Sequence, residues 1–565
     1  MDEPSLKFKI IVAFTLMLSQ SYVLAAPPRT PQFPTTIEPA RTGEAISNRP
    51  LIEEPMLSPE TQVHILHGQT LPPEMAKLKF KMTAVRIEHP VVYTCEELLE
   101  PFQSDIGKVV TLGDIQEIAN KITTRYQQAG YILTQVIIPP QHIRDGVVTL
   151  EVVAGHIDKV FVSGDVCPAL KELVLAYGAK IQDPCPMQMA DLERYTLLIN
   201  DIPGVTAKAV LTPSKTTPQT VDVTYIVEEH YLSGFAAVNN YGTKYLGPVQ
   251  GFLGVELDSG IQVGDSTQLQ VVTTANKQLN FVELRHKEII GCEGLKVGIY
   301  GQYLHEVPDF TLSPFDVKGT YGVVGADFLY PIIRSRQTNL SLNGGFMVLD
   351  SKTTILGTSL YDDHIRPLYL GLNYSHQDSF QGVNQAAITL TQGLKILGAS
   401  GQSNISRPKG ESVFTKITPS VSRYQALPCD FSLMVLVQGQ YSFDTLLSSQ
   451  QFGFGGSLVG RGYDPSEIVG DDGVGGTLEL RYDSYIVPET LSSQYYVFYD
   501  AGIVWNRDPT FLYSRASATS TGVGVRLKFL QNFEGNLYIA KPLTRNVATF
   551  ANRDIRVFFS LLLKL

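Results

Sequence analysis

Past Glu229 the helical period disappears, and short runs alternating apolar with polar residues continue to Leu565. Over 295–303, Leu295, Val297, Ile299 and Tyr303 share one face, with Lys296, Gly298, Tyr300 and Gln302 on the other. Leu433, Val435, Val437 and Tyr441 oppose Ser432, Gln438 and Gln440, while Val523, Val525 and Leu527 oppose Arg526 and Lys528. The last run sets Val557, Phe559, Leu561, Leu563 and Leu565 against Arg556, Ser560 and Lys564. A period of two is the signature of strands whose two faces meet different surroundings. Some segments, such as 278–287, alternate poorly.

The start of the chain narrows the choice of surroundings. Lys7 and Lys9, an apolar centre over 10–18 and Val23-Leu24-Ala25 read as an export leader, 1–25, with an apolar run too short to span a bilayer. No later stretch has 18 or more apolar residues, so an exported chain is left as a soluble β protein or a closed transmembrane barrel. About sixteen alternating segments fall in 230–565, and their connections tend to alternate long and short. The long ones cover 305–319, 351–364, 393–411, 444–475, 506–518 and 543–553; the short ones cover 331–336, 377–383, 424–430, 486–493 and 529–532. A soluble solenoid or sandwich explains neither this asymmetry nor the apolar last strand. The expected fold is an all-β transmembrane barrel of sixteen antiparallel strands, both ends on the periplasmic side, contacting outer-membrane lipid.

Residues 26–79 are proline-rich and read as a linker, with Ser58-Pro59-Glu60 suited to open a short helix over 62–66. From 80 to 155 the pattern is strand 82–88, helices 95–102 and 111–129, then strands 131–138 and 147–153. In the longer helix Ile115, Ile118, Ala119, Ile122 and Tyr126 form one stripe, and Gly130 suits its end. The order repeats over 156–229: strand 157–162, helices 169–177 and 187–200, strands 205–211 and 221–227. Two tandem α+β units make a modular arm whose sheet edges can accept an extended peptide.

A net charge of −10, dispersed along the chain, argues against nucleic acid as the partner. Cys167 and Cys185 flank one expected helix, a spacing that allows a bridge in an exported protein; five cysteines leave at least one unpaired within the chain. No zinc spacing, nucleophile elbow, P-loop or histidine cluster is present, and His64 and His67 read as solvated linker residues. The sequence thus implies neither catalysis nor a metal, cofactor or nucleotide.

The gap 444–475 carries Leu458-Val459-Gly460-Arg461-Gly462-Tyr463, and Phe498-Tyr499-Asp500-Ala501-Gly502 lies two strands on. Strand parity puts Thr477, Glu479 and Arg481 on one face, and Tyr496, Phe498, Asp500 and Gly502 on one face of the next strand. Lipid disfavours charge, so Glu479 and Asp500 should face the lumen. A loop tip carrying Arg461 inward would find a carboxylate there, and Gly462 and Gly502 leave room for close approach. The alternative leaves Arg461 solvated outside and Asp500 facing lumen water.

Taken together these residues resemble a known family. Gly130-Tyr131, Pro140-Gln141, Gly146 and Val152-Val153-Ala154-Gly155 mark the first α+β unit; Asn200-Asp201-Ile202-Pro203-Gly204 and Leu211-Thr212-Pro213 mark the second. Tyr330-Pro331-Ile332-Ile333-Arg334-Ser335-Arg336, then Leu447-Ser448-Ser449-Gln450-Gln451-Phe452 leading to Gly455-Gly456, precede the Arg461-Gly462-Tyr463 tip and the Phe498-x-Asp500-x-Gly502 strand. From residue 80 on, the chain resembles the TpsB-type outer-membrane transporters of two-partner secretion, the hemolysin secretion/activation (ShlB/FhaC/HecB-like) family of the barrel-assembly superfamily. The resemblance implies two periplasmic POTRA domains, 80–155 and 156–229, and a sixth outside loop folded into the lumen with Arg461 on Asp500 of the thirteenth strand. It implies translocation of an unfolded, β-rich, TpsA-like exoprotein, with the POTRA domains as docking site. Edge strand 205–211, with Val205, Ala207, Ala209 and Leu211, would suit that docking. A barrel- or autotransporter-assembly factor would normally carry more POTRA units, and a passive porin needs none. The chain departs from the pattern in three places. Gly460 stands where Val is usual, which implies a looser tip; the prolines of 26–79 disfavour the family's lumen-plugging helix; and Leu565 replaces a frequent terminal Phe.

Overall fold

Within lipid every backbone N–H and C=O of a spanning sheet must be paired inside the sheet. In the computed structural model of this chain the sheet closes on itself. The structure describes residues 35–47, 74–217, 220–487, 490–508, 513–530 and 532–565; the expected leader and the helix over 62–66 lie outside them. Sixteen antiparallel strands among the described residues form the barrel. They are β1 (Leu232–Asn239), β2 (Gln250–Asp258), β3 (Ser266–Thr274), β4 (Leu279–Ile290), β5 (Leu295–Glu306) and β6 (Lys318–Arg334). Next come β7 (Thr338–Ile355), β8 (Thr358–Ile365 continued by Pro367–Gln377), β9 (Gly382–Gly393), β10 (Thr415–Ala426) and β11 (Phe431–Ser442). The last are β12 (Asp472–Val487), β13 (Leu491–Trp505), β14 (Arg515–Phe529), β15 (Phe533–Pro542) and β16 (Arg556–Lys564). β16 closes onto β1 over the short register Ser560↔Asn239 to Lys564↔Phe235, extended by Leu565 N–H on Gly234 O at 2.8 Å. One expected outside loop is corrected: 351–364 is the tip of a long β7–β8 hairpin, paired from Leu349↔Ile365 to Ile355↔Thr358.

The alternation assigns faces as expected. Leu478, Leu480, Tyr495 and Val497 are exposed to the lipid side, while Glu479, Tyr496, Phe498 and Asp500 are buried inward. β4 alternates poorly because its inward residues Leu279 and Phe281 are apolar, and they are apolar because the lumen is filled. Within the proline-rich segment, Pro39–Ser47 forms a helix packed against inward residues of β4 to β7; Ala40 and Ile46 of the helix, with Ile37 just before it, share a core with Phe281, Tyr300 and Tyr321. Proline opens this helix where no N–H is needed. Gly43 is required by packing, since a Cβ there would lie 2.5 Å from the Tyr321 ring. The proline content therefore did not exclude a lumen helix; packing rather than propensity stabilises so short a segment.

The arm has the expected element order. In the first unit Thr111 caps Leu112–Gln128 in a capping box with Asp114, and Ala84–Glu88 pairs parallel to Val147–Val153, which pairs antiparallel to Gln135–Ile137. In the second, Ile157–Ser163 and Val205–Pro213 flank the central Val221–Glu229, so Val205–Pro213 is a sheet edge. The expected option of a Cys167–Cys185 bridge is not taken: all five cysteines are free thiols, and Cys167 Sγ instead accepts the Leu170 N–H as cap of Pro168–Gln182. The second unit is clamped to the barrel. Pro331 bulges β6, and the Pro331 and Ile332 carbonyls accept from Arg194, each at 3.2 Å. Arg334 grips Asp201 with two bonds of 2.8 Å.

Candidate functional site: the lumen-inserted loop

Residues 443–471 leave β11 on the outer side and turn back into the barrel, where Phe452–Phe454 and Ile468–Gly470 pair as a small hairpin. Glycines on the wall admit it: a Cβ at Gly502 would sit 2.1 Å from Phe454, and one at Gly473 would sit 2.2 Å from Phe452. Phe452, Phe454, Val459, Tyr463 and Ile468 form a core with Val504, Ala516 and Ala518, which bonds loop to wall by apolar burial.

The tip ends on the thirteenth strand. Arg461 is 5 % exposed and Asp500 is wholly buried. Asp500 Oδ2 accepts the Arg461 backbone N–H at 2.8 Å, the Gly460 N–H at 3.1 Å and Arg461 Nε at 3.2 Å; Oδ1 accepts Nη2 at 3.0 Å. Nη2 also donates to Thr477 Oγ1 at 2.6 Å, and Nη1 donates to Glu479. The guanidinium carbon lies over Phe498, 3.5 Å from its centroid, in cation–π contact. Glu479 further receives Arg481 Nε at 2.7 Å and Arg526 Nη1 at 2.8 Å, so two carboxylates are shared among three arginines. Gly462 donates to Ser520 Oγ at 3.2 Å, and Tyr463 donates to Thr519 O at 2.9 Å. The tip is not the looser one implied by Gly460. Its φ of +83° suits glycine, its Cβ position is filled by Phe454 and Gly455, and its N–H is bonded.

The predicted residues Arg461, Gly462, Tyr463, Phe498, Asp500, Gly502 and Glu479 therefore converge. Val205, Ala207, Ala209 and Leu211 lie far away in the arm with their side chains in its core, so only their backbone is at the edge. Asn200 already occupies that edge at Ala207, bonding both its N–H and its C=O at 2.9 Å; strand alternation leaves Ala209 and Leu211 open. The sequence reading missed Thr477 and Ser520 as ligands of the tip, and Arg556, which bonds Gly462 O at 3.1 Å and Asp464 at 2.7 Å. Lumen parity on β12, β14 and β16 was the signal available for all three.

Comparison with known proteins gives a consistent result. Residues 220–527 match the family described as haemolysin secretion/activation protein ShlB/FhaC/HecB, and 80–155 match the ShlB-type POTRA domain. The heme/hemopexin transporter protein HuxB of Haemophilus influenzae (strain 86-028NP) is 23% identical over 555 residues, 95% of each chain. The outer membrane transporter CdiB of Dickeya dadantii (strain 3937) is 22% identical over 76% of each. Among solved structures, CdiB from Escherichia coli superposes with a TM-score of 0.72 at 16% identity, covering 93% of this chain and 96% of that one. CdiB from Acinetobacter baumannii gives 0.60 at 15% identity over 99% and 98%. With its sixteen-stranded barrel, its periplasmic arm and the match over more than half its length, the chain belongs to the haemolysin secretion/activation family ShlB/FhaC/HecB, outer-membrane transporters of two-partner secretion.

Proposed function

We propose that the cargo is an unfolded, β-rich exported protein that docks on the POTRA arm and crosses the lumen after the helix Pro39–Ser47 leaves it. The observation that carries this reading is the filled lumen: helix and inserted loop pack against the inward wall, so a passing chain must displace at least one of them. The helix gives its core only Ala40 and Ile46, against Phe452, Phe454, Val459, Tyr463 and Ile468 from the loop, and it leaves without breaking the barrel sheet. The loop tip is held by Arg461 between Asp500 and Glu479, and its role is to keep one loop position while the helix moves. A buried Arg–carboxylate cluster adds little net stability but is strongly directional, which suits a positioning role. The open backbone of Ala209 and Leu211 supports docking of an extended segment by strand addition, with the Val205, Ala207, Ala209 and Leu211 side chains keeping the edge rigid. No nucleotide enters the reading, and folding of the cargo outside supplies the driving force. Deleting 80–155 should abolish binding of the cargo's exported N-terminal region to the purified transporter; undiminished binding would remove the docking assignment.

A further inference from the structure

A second buried ion pair lies 64 residues apart in sequence, at the outer mouth. Arg407, in the outside loop 394–414, and Asp471, at the foot of the lumen loop, are both wholly buried. Arg407 Nη2 donates to Asp471 Oδ2 at 2.9 Å, and Nη1 donates to Oδ1. Nη1 also reaches Leu446 O, at the loop's other foot, at 3.0 Å, and Nη2 reaches Asn506 Oδ1 at 3.3 Å. The Asp471 carboxylate takes the backbone N–H of Leu446 at 3.0 Å and of Arg507 at 2.9 Å. One pair thus ties together three outside segments: 394–414, both feet of 443–471, and the start of 506–514.

The same network reaches the lumen helix. Beside Arg407, Ser406 Oγ accepts the Ser448 N–H at 3.0 Å, and the Ser448 carbonyl accepts from Arg41 of the helix. Arg41 Nη2 also donates to Gln451 Oε1 at 3.1 Å, and Gln451 Nε2 donates to Asn506 Oδ1 at 2.8 Å. Two short paths therefore run from helix to ion pair, through Ser448–Ser406 and through Gln451–Asn506.

We propose that Arg407 and Asp471 form a latch that closes the outer mouth and holds the lumen helix seated, so that opening of the loops and release of the helix are one coupled event. The proposal rests on the reading that the helix leaves during transport. A fork-to-fork pair with additional backbone ligands has one good geometry, so displacing either foot of the loop breaks several bonds together. Such a contiguous, two-position network is what carries coupling between sites, and coupling in binding equilibria is reciprocal. Arg407 is here a positioning residue, acting on the helix through Ser406, Ser448 and Asn506.

The test reads helix seating directly. In the purified transporter, with its five native cysteines replaced by serine, a maleimide reaches a released helix from either side of the barrel. Ala45→Cys reports the helix. Arg407→Lys, which keeps the charge and loses the fork, and Asp471→Asn should each speed its labelling about tenfold, within the range of typical coupling, with heat-modifiable mobility unchanged. In the reverse arm, which leaves the ion pair intact, Arg41→Ala should speed labelling of the buried Ser449→Cys by a similar factor. Unchanged labelling in either arm, in a folded barrel, overturns the latch. Faster labelling with normal cargo secretion upholds the latch and overturns the reading that helix release belongs to transport. Altered secretion with unchanged labelling overturns the latch alone.

Discussion

Replacing Arg461 by Ala is the sharpest test of the loop anchor, because the structure shows what each partner retains. Asp500 would lose Nε and Nη2 but keep the backbone N–H groups of Gly460 and residue 461, with Ser520 Oγ at 3.4 Å. Glu479 would keep Arg481 and Arg526. Breaking a buried pair costs about 3–5 kcal/mol when the partner is stranded. Neither carboxylate is stranded here, so the loss is that of charged hydrogen bonds, about 1.5–3 kcal/mol. That weakens the seated tip by roughly 10- to 150-fold. Asp500→Ala loses the same charged bonds, leaves Arg461 with Glu479 and Thr477, and strands two buried backbone N–H groups besides, each costing about 1–3 kcal/mol more. Both variants should remain heat-modifiable barrels in gel electrophoresis, since no strand pairing is touched. Limited proteolysis within 443–471 should quicken in the order wild type, Arg461→Ala, Asp500→Ala, and cargo secretion should fall in both. Equal protection of the two variants, or the reverse order, would refute the partition of bonds. Normal secretion by Arg461→Ala would refute the anchor's role in transport.

Gly502→Ala should drive a methyl into Phe454, cost about 1–3 kcal/mol as overpacking and raise hydrogen exchange at Phe452–Phe454; Gly322→Ala, with no heavy atom within 4 Å, is the control and should leave exchange unchanged. In the first POTRA domain, the Thr111 N–H and then its hydroxyl hold the Asp114 carboxyl below its ordinary range. A depressed carboxylate contributes stability above its unfolded pKa and loses it as pH falls through the folded one. Amide protection in the first turn of Leu112–Gln128 should therefore be constant near neutrality and decline only below the ordinary aspartate range. Asp114→Asn should remove that acid-dependent decline, as followed by hydrogen exchange across pH.

How far the sequence could be read depended on whether a residue's surroundings were set by its own strand. The bilayer acts on each strand separately, so alternation, read with the export leader and the loop asymmetry, identified a barrel, put Glu479 and Asp500 inward, and put Leu478 and Val497 outward. Glycine and arginine in one long gap, with carboxylates on the next two strands, offered a tip and its receptors, and the family resemblance chose Asp500. The two POTRA units were legible for a similar reason, since helix stripes and caps are local.

The helix that fills the rest of the lumen was not legible. Pro39–Ser47 is nine residues long, and it is a helix because the wall packs around it; that wall, through Leu279 and Phe281, breaks the alternation that marks a strand. The β7–β8 tip looked like a loop because its polar residues lie past the membrane, where both faces of a strand can be polar. Lumen parity turned hydroxyls such as Thr477 and Ser520 inward but did not single them out as ligands of the tip. Arg407 and Asp471 meet only because two outside loops fold over the same mouth. Sequence by itself determined which residues face lipid and which face inward, because lipid imposes that choice one strand at a time. Only the tertiary structure decided which inward and outer-mouth groups meet, because those contacts join segments tens to hundreds of residues apart.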